Sequence, residues 1–231
     1  MHHQAPGWYG KLSMLGDFAS RRLDAGWIAR IHAWIAAGLL ASRERLGERW
    51  PQAYLGAPLW RFAWAPGIVD TRWWFGVLMP SCDSVGRYYP LVVVEARARP
   101  PSDRIGLDHL DLWWQRLAQA TLATLTDDAT VEAFEAALHD APPWPRALPL
   151  PEPADPAADR QRHPVAPGTP LTQLAHGLAA AELVRRLAGS SIWWPLEVAS
   201  AAGAAAPRGQ CTVTRGLPCA ATFAELLTGT L

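Results

Sequence analysis

The sequence lacks the short motifs of several large enzyme families. Its 18 glycines never occur two positions apart, so the G-x-G of the dinucleotide-binding fingerprint is absent. No two glycines lie four or five positions apart, which excludes both the G-x-S-x-G nucleophile elbow and the Walker A phosphate-binding loop. These absences exclude three enzyme classes and leave open an enzyme whose site is dispersed over the fold.

Metal-binding and disulfide patterns are missing as well. The three cysteines, Cys82, Cys211 and Cys219, form no C-x-x-C pair, and the seven histidines form no H-x-x-x-H pair. Any metal site would therefore need ligands scattered across the fold. An odd number of cysteines without a pairing pattern favours reduced thiols. We therefore predict a protein without a metal or other cofactor.

An excess of one charge and a long apolar run are also lacking. The 21 basic and 21 acidic residues give a formal net charge of zero, whereas nucleic-acid-binding proteins usually carry a basic excess. The most apolar stretch, residues 27–42, contains Arg30 and His32 and is too short to span a bilayer. The N-terminus lacks the pattern of a secretion signal. These observations predict a cytoplasmic protein that neither binds nucleic acid nor inserts into a membrane.

Tryptophan, by contrast, is abundant, with 13 residues in the chain. Six of them occur as adjacent pairs: Trp73-Trp74, Trp113-Trp114 and Trp193-Trp194. Neighbouring residues of a strand face opposite sides of the sheet, so a pair within a strand indicates bulky cover on both faces. The alternative interpretation is an aromatic-rich protein interface.

The pattern of apolar residues predicts an α/β fold of the α+β kind, in which helices pack on a mostly antiparallel sheet of about six strands. The predicted strands cover residues 7–12, 59–65, 72–80, 86–95, 191–198 and 210–216. The three middle strands are joined by connections too short for a crossover helix, so they should pair as an antiparallel meander. We expect a single domain over residues 1–231.

Helices are predicted between these strands from three-four spacing of apolar residues. The first begins after Asp24 and is expected to break at Gly38. Others are centred on residues 110–125 and 131–138, and the last closes the chain at 220–229. A further helix is expected to start with Thr169 as its cap and Pro170 in its first turn.

Residues 142–170 are rich in proline, with ten of the 21 prolines of the chain. Proline lacks a backbone donor and fixes φ, so this stretch cannot form a regular helix or a central strand. We interpret it as a long surface loop or spacer. Its P-x-x-P spacings leave open a polyproline ligand for another protein.

The stretch "PSCDSVGR" at residues 80–87 concentrates polar side chains between two apolar runs. Asp83 can pair with Arg87 across a turn that Gly86 permits, which favours a hairpin turn. A catalytic interpretation would use Ser81 or Cys82 as nucleophile. That chemistry needs a histidine base, and no histidine is close in sequence.

Several blocks of the sequence resemble the TagF family of type VI secretion accessory proteins. The blocks are "GWYGKLSMLGDFASRRL", "ASRERLGERWPQAYLGAPLWRFAWAPG", "WFGVLMPSCDSVGRYYPL", and the later "SIWWP" and "TRGLPCAATFAELLTG". Two segments depart from the family pattern. The usual "KLPSLGDF" reads "KLSMLGDF" here, and Pro195 follows the tryptophan pair where a glycine is common.

The resemblance implies a regulator and not an enzyme. TagF-like proteins are thought to repress type VI secretion by binding the forkhead-associated scaffold protein of the system. The candidate family-signature and interaction residues are Gly16, Asp17, Phe18, Arg61, Asp83, Gly86, Arg87, Trp193 and Trp194. For Asp17, Arg61, Asp83 and Arg87, an internal salt bridge or turn hydrogen bond is the alternative role. Two other classes remain open, a structural component of the baseplate and an enzyme with a dispersed site.

Overall fold

The computed structural model describes residues 5–101, 103–144, 165–196 and 210–231, and its central element is a seven-stranded sheet. The strands are β1 (Gly7–Gly10), β2 (Ala19–Arg21), β3 (Trp60–Trp64), β4 (Trp73–Met79), β5 (Leu91–Arg97), β6 (Ser190–Pro195) and β7 (Thr212–Arg215). Their order in the sheet is β2-β1-β5-β4-β3-β6-β7, and every neighbouring pair is antiparallel. The predicted fold class and the β3-β4-β5 meander are therefore confirmed.

Six helices accompany the sheet within the described residues. They are α1 (Ala25–Leu46), α2 (Trp50–Leu55), α3 (Arg104–Ala123), α4 (Val131–His139), α5 (Leu171–Leu187) and α6 (Phe223–Thr228). No helix in the described part of the chain combines the length and the apolar character that a membrane crossing requires. Residues 145–164, most of the proline-rich stretch, lie outside the described residues.

Two separate cores cover the two faces of the sheet. Helices α1, α2 and α6 pack on one face, and α3 and α4 pack on the other. Trp74 and Trp193 belong to the α1 side, whereas Trp73 and Trp194 belong to the α3 side. The sequence interpretation of these two pairs is confirmed, because alternation along a strand sends neighbours to opposite faces. The third pair lies on α3, and both of its rings join the core on the α3 side.

The predicted break at Gly38 is wrong, since α1 runs unbroken through it. A Cβ at this position would lie 2.1 Å from Cδ2 of Phe223. The glycine therefore permits α6 to pack closely on α1, and this contact offsets the low helix propensity of glycine. Asp24 caps α1 as predicted, with its Oδ1 accepting from the Trp27 amide at 2.8 Å.

Three other local predictions are corrected. The sheet contains β2, a three-residue strand that is too short to show an alternating pattern. The strand predicted over residues 86–95 begins at Leu91, because the preceding residues form a wide loop. The predicted cap of α5 is also wrong. Thr169 Oγ1 donates to the Ala166 carbonyl oxygen at 2.7 Å, and Pro170 is the residue that precedes the helix.

Candidate functional site

Two loops that are far apart in sequence form one surface at the end of the sheet. Residues 11–18 follow β1, residues 80–90 join β4 to β5, and together we call them the paired-loop site. The Ser84 amide donates to the Leu15 carbonyl oxygen at 2.9 Å, and Arg87 Nη2 donates to the carbonyl oxygen of Gly16. The fold thus brings together six of the candidate residues: Gly16, Asp17, Phe18, Asp83, Gly86 and Arg87.

Asp83 is the centre of the paired-loop site and is only 2% exposed. Its Oδ2 accepts from Lys11 Nζ at 2.8 Å and from Arg87 Nε at 2.7 Å. Its Oδ1 accepts from the backbone amides of Arg87 at 2.8 Å and Val85 at 3.2 Å. The predicted Asp83–Arg87 pair is therefore confirmed. Four donors enclose the carboxylate, so it holds the two loops together.

The hydrogen bonds of Asp83 determine its protonation state. Burial by itself would raise the pKa of the carboxyl group. The bonds from Lys11 and Arg87 outweigh burial and hold the pKa of Asp83 well below its usual range. The group therefore stays ionised at neutral pH, which suits an ion pair and not a general acid.

Phe18 rests on a platform of three other rings and remains 41% exposed. Its ring centroid lies 4.7 Å from that of Tyr89, 5.5 Å from that of His32 and 5.9 Å from that of Tyr9. Below it, the Tyr9 hydroxyl and His32 Nδ1 are 2.6 Å apart, and Lys11 Nζ lies 5.0 Å from the Phe18 centroid. The platform fixes an apolar side chain at the surface.

The rim of the paired-loop site is exposed and chemically mixed. Asp17 is exposed, and its Oδ1 accepts from the Phe18 amide at 2.8 Å. Val85 is 68% exposed, and the side chain of Arg87 is 57% exposed although its Nε contacts Asp83. Gly86 has a φ of 80°, which favours glycine and confirms the predicted turn. The rim of the paired-loop site thus carries an apolar residue, an anion and a cation.

Ser81 and Cys82 lie next to this centre, and Ser81 is held by the fold. Ser81 Oγ donates to the Lys11 carbonyl oxygen at 2.8 Å. The Tyr54 hydroxyl donates to the Ser81 carbonyl oxygen at 2.8 Å and accepts from the Ser81 amide at 3.1 Å. These bonds give Ser81 a structural role in joining the loops. Within the described ranges, no three histidine, cysteine or acidic side chains are grouped as metal ligands.

The other candidate residues lie elsewhere on the sheet. Arg61 on β3 pairs in register with Trp194 on β6, and the guanidinium carbon lies 5.6 Å from the indole centroid. Arg61 Nη1 also donates to Asp111 Oδ1 on α3 at 2.9 Å. Arg61 and Trp194 border an open groove of about 560 Å³. We call Arg61, Asp111 and Trp194 the Arg61 cluster.

Trp193 is buried in the core on the α1 side of the sheet. Its Nε1 donates to Ser191 Oγ at 2.8 Å, and its side chain is 0% exposed. Its place in the family segment therefore reflects packing and not surface contact. The adjacent Trp194 faces the α3 side, where its ring centroid lies 4.7 Å from that of Trp114.

Comparison with known proteins identifies the family. A family model described as the TagF N-terminal domain, type VI secretion system-associated, matches residues 7–141. This chain belongs to the TagF family. The matched region of this TagF-family chain contains the whole paired-loop site and Arg61, whereas Trp193 and Trp194 lie outside it. Membership associates the chain with type VI secretion. No sequence among curated proteins matches this chain significantly.

A solved structure shares the fold of this TagF-family chain. It is the crystal structure of PA0076 from Pseudomonas aeruginosa PAO1, at 37% sequence identity and a TM-score of 0.74. The similarity covers 97% of this chain and 94% of that chain. The similarity therefore extends beyond the matched N-terminal region to strands β6 and β7 and to helix α6.

Sequence reasoning missed the residues beneath the surface of the paired-loop site. Lys11, Tyr9, His32 and Tyr89 were not among the candidates. Lys11 carries a signal that could have been used, because it is the only lysine in the chain and lies between apolar residues. A charged side chain in such a position needs a partner of opposite charge. The three ring residues show no such signal, because aromatic side chains are common in any core.

Proposed function

We propose that this TagF-family chain is a non-enzymatic negative regulator of type VI secretion that acts by binding another protein. The proposed partner is the forkhead-associated scaffold of the system. Binding would hold the scaffold in an arrangement from which the secretion apparatus is not assembled. The mechanism is occupancy of a surface, so it requires no bond to be made or broken.

The structure of the paired-loop site supports a binding role. Interface hot spots combine a fixed aromatic or arginine side chain with a surrounding rim of weaker contacts. Phe18 is fixed by the ring platform, and Arg87 is fixed by Asp83. Both remain exposed, so a partner could contact them without a loop rearrangement. A rigid surface of this kind loses little conformational entropy when it binds.

The polar groups of the same site favour a structural role over catalysis. Asp83 is ionised and accepts four hydrogen bonds, and Ser81 Oγ is a donor to a backbone carbonyl oxygen. A general base needs a free lone pair directed at a substrate, and a nucleophilic hydroxyl needs a base that takes its proton. Both groups are instead directed at the protein, which supports the proposal of a binding protein.

The proposal is tested by measuring binding of the purified scaffold to this chain by isothermal titration calorimetry. Replacing Phe18 by Ala should weaken binding by roughly thirtyfold, as expected for a hot spot worth about 2 kcal/mol. The matched control is Leu183→Ala on α5, whose side chain is 57% exposed and lies outside the paired-loop site. The control should bind as the unmodified chain does.

Two results would contradict the proposal. If the unmodified chain does not bind the scaffold, the proposed partner is wrong. If Phe18→Ala binds as tightly as the unmodified chain, the paired-loop site is not the binding surface. Affinity purification from the native host separates the remaining alternatives. Stoichiometric recovery of baseplate subunits without the scaffold would favour a structural component.

A further inference from the structure

Four arginines of the described residues lie over tryptophan rings, and Arg43 differs from the other three. The guanidinium carbon of Arg43 lies 4.3 Å from the Trp50 ring centroid. The other three also bond a carboxylate, in the pairs Arg61–Asp111, Arg72–Asp70 and Arg97–Glu95. Arg43 has no acceptor or ion-pair partner within the described part of the chain. A guanidinium carries five N–H donors, so Arg43 is held by a ring while its donors stay unused.

The place of Arg43 in α1 does not explain its unused donors. Arg43 is exposed and lies in the last turn of the helix, where the helix dipole favours a cation. Arg45 lies in the same turn, and its Nη1 donates to the Ala221 carbonyl oxygen at 2.8 Å and lies 3.6 Å from Glu225 Oε1. An arginine at this end of α1 can therefore be bonded within the protein, and Arg43 is not.

The ring beneath Arg43 is fixed by other aromatic residues. Trp50 is 4% exposed, and its ring centroid lies 4.9 Å from that of Tyr54 and 5.7 Å from that of Tyr88. Its Nε1 donates to Ser42 Oγ at 2.9 Å. We call Arg43, Trp50, Tyr54 and Tyr88 the Arg43 stack. An arginine that is already held by a rigid ring loses little side-chain freedom when it binds a partner.

The Arg43 stack adjoins the paired-loop site. Tyr88 belongs to the loop at residues 80–90, and the next residue, Tyr89, lies beneath Phe18 with 4.7 Å between the ring centroids. The exposed groups of Phe18 and Arg43 therefore rest on neighbouring residues of one loop. A standard protein interface covers about 800 Å² of each partner, so a single partner can cover both groups.

The Arg43 stack lies on the α1 side of the sheet, where Trp50 and Tyr54 belong to the core. Ala5, Trp144 and Leu196 border the three longest stretches outside the described residues, and all three pack on the α3 side. The side of the sheet that carries Arg43 is therefore built by the described helices α1, α2 and α6.

The chemistry of the guanidinium determines which group can bind here. A guanidinium has donors and no acceptor, so its partner must supply acceptor oxygens. A carboxylate matches its planar, forked geometry with two parallel hydrogen bonds and also neutralises its charge.

We propose that the Arg43 stack is part of the surface that binds the partner protein, and that Arg43 binds an aspartate or glutamate side chain of that partner. This inference rests on the proposed function, since it assumes that a protein covers the paired-loop site. It adds the chemical group that the partner presents beside its contact with Phe18.

The first test measures binding of the purified forkhead-associated scaffold to the full chain by isothermal titration calorimetry. Arg43→Gln should bind about tenfold more weakly than the unmodified chain, as expected when a hydrogen bond between charged groups is lost. The matched control is Arg186→Gln, which removes the same charge from an exposed position on α5. The control should bind as the unmodified chain does, and circular dichroism should show that both variants are folded.

The second test identifies the carboxylate by cross-linking. The only lysine of the chain, Lys11, is buried, so Arg43→Lys adds an exposed amine that has no competing lysine side chain. In the complex with the scaffold, a water-soluble carbodiimide should join this amine to the partner's carboxylate as an amide. Mass spectrometry of the digested product should locate the bond at position 43. Arg186→Lys is the control and should give no bond at position 186.

Three results would overturn the inference. The first is unchanged affinity of Arg43→Gln for the scaffold. The second is weaker binding by Arg43→Gln without a cross-link from Arg43→Lys, which would show that Arg43 contacts a group other than a carboxylate. The third is a cross-link from Arg186→Lys and none from Arg43→Lys. Arg43→Lys keeps the charge over Trp50 and decides the test if Arg43→Gln unfolds.

The same measurements separate this inference from the proposed function. Weaker binding by Phe18→Ala together with unchanged binding by Arg43→Gln would reject the role of Arg43 and keep the proposed function. If the unmodified chain does not bind the scaffold, both are rejected.

Discussion

The paired-loop site and the Arg61 cluster both combine an arginine, a carboxylate and an aromatic ring, but they differ in burial. The side chain of Asp83 is 0% exposed, whereas that of Asp111, the partner of Arg61, is 51% exposed. A buried carboxylate with two cationic partners is strongly coupled to the fold, because removing the carboxylate leaves the buried Lys11 ammonium group unpaired. The Arg61–Asp111 pair, with side chains 18% and 51% exposed, is partly screened by water and contributes less. Similar residue types are therefore coupled strongly to the fold at one place and weakly at the other.

The largest effect that would sharpen this comparison is expected from Asp83→Ala. The change leaves Lys11 buried without its carboxylate and removes the ion pair between the two loops. We expect the melting temperature to fall by about 10 °C, measured by circular dichroism. Lys11, the only lysine, should also react faster with an amine-specific reagent. An unchanged melting temperature would show that Asp83 does not hold the loops.

An intermediate effect on the free energy of unfolding is expected when the pH is lowered. The folded-state pKa of Asp83 is lowered, whereas an unfolded aspartate titrates near about pH 4. Its contribution to the free energy of unfolding is therefore present above about pH 4 and is lost as the pH falls below that value. Urea unfolding between pH 7 and about pH 3, a range that includes the onset of this loss, should show a steeper loss for the wild type than for Asp83→Asn. Parallel curves for the two proteins would contradict this assignment.

The smallest effect is expected from Asp111→Ala in the Arg61 cluster. Exposed ion pairs contribute up to about 1 kcal/mol, so the melting temperature should change by no more than about 3 °C. The same thermal scan used for Asp83→Ala provides the measurement. A loss as large as that of Asp83→Ala would remove the distinction between the two regions.

Local sequence patterns predicted much of the sheet and one of the two loops of the candidate site, the loop at residues 80–90. Runs rich in aromatic and apolar residues, bounded by proline and glycine, located β3 and β4. The turn chemistry of Asp83, Gly86 and Arg87 predicted a pair that the structure confirms. These features depend on residues a few positions apart. Two aspects stay predictions, a single domain over the whole chain and the binding role of the candidate residues.

Features that depend on distant residues were predicted poorly. Gly38 was taken for a helix break because glycine has low helix propensity, and only the contact with Phe223 explains its place within α1. Likewise, no local pattern predicts that the loop at residues 11–18 contacts the loop at residues 80–90. Strand β2 is assigned by its pairing with β1, and this pairing cannot be read from three residues of sequence.

The sequence by itself determined the helix and strand periodicities, the two-faced tryptophan pairs of β4 and β6, the turn at Gly86 and the family. The tertiary structure decided which polar residues are enclosed and which are displayed. Lys11 meets Asp83 across 72 positions, and Arg61 meets Asp111 across 50. Local patterns arise from the period of one helix or strand, whereas these contacts arise from strand order and helix packing. Burial, and with it the strength of each ion pair, is set only when the whole chain has folded.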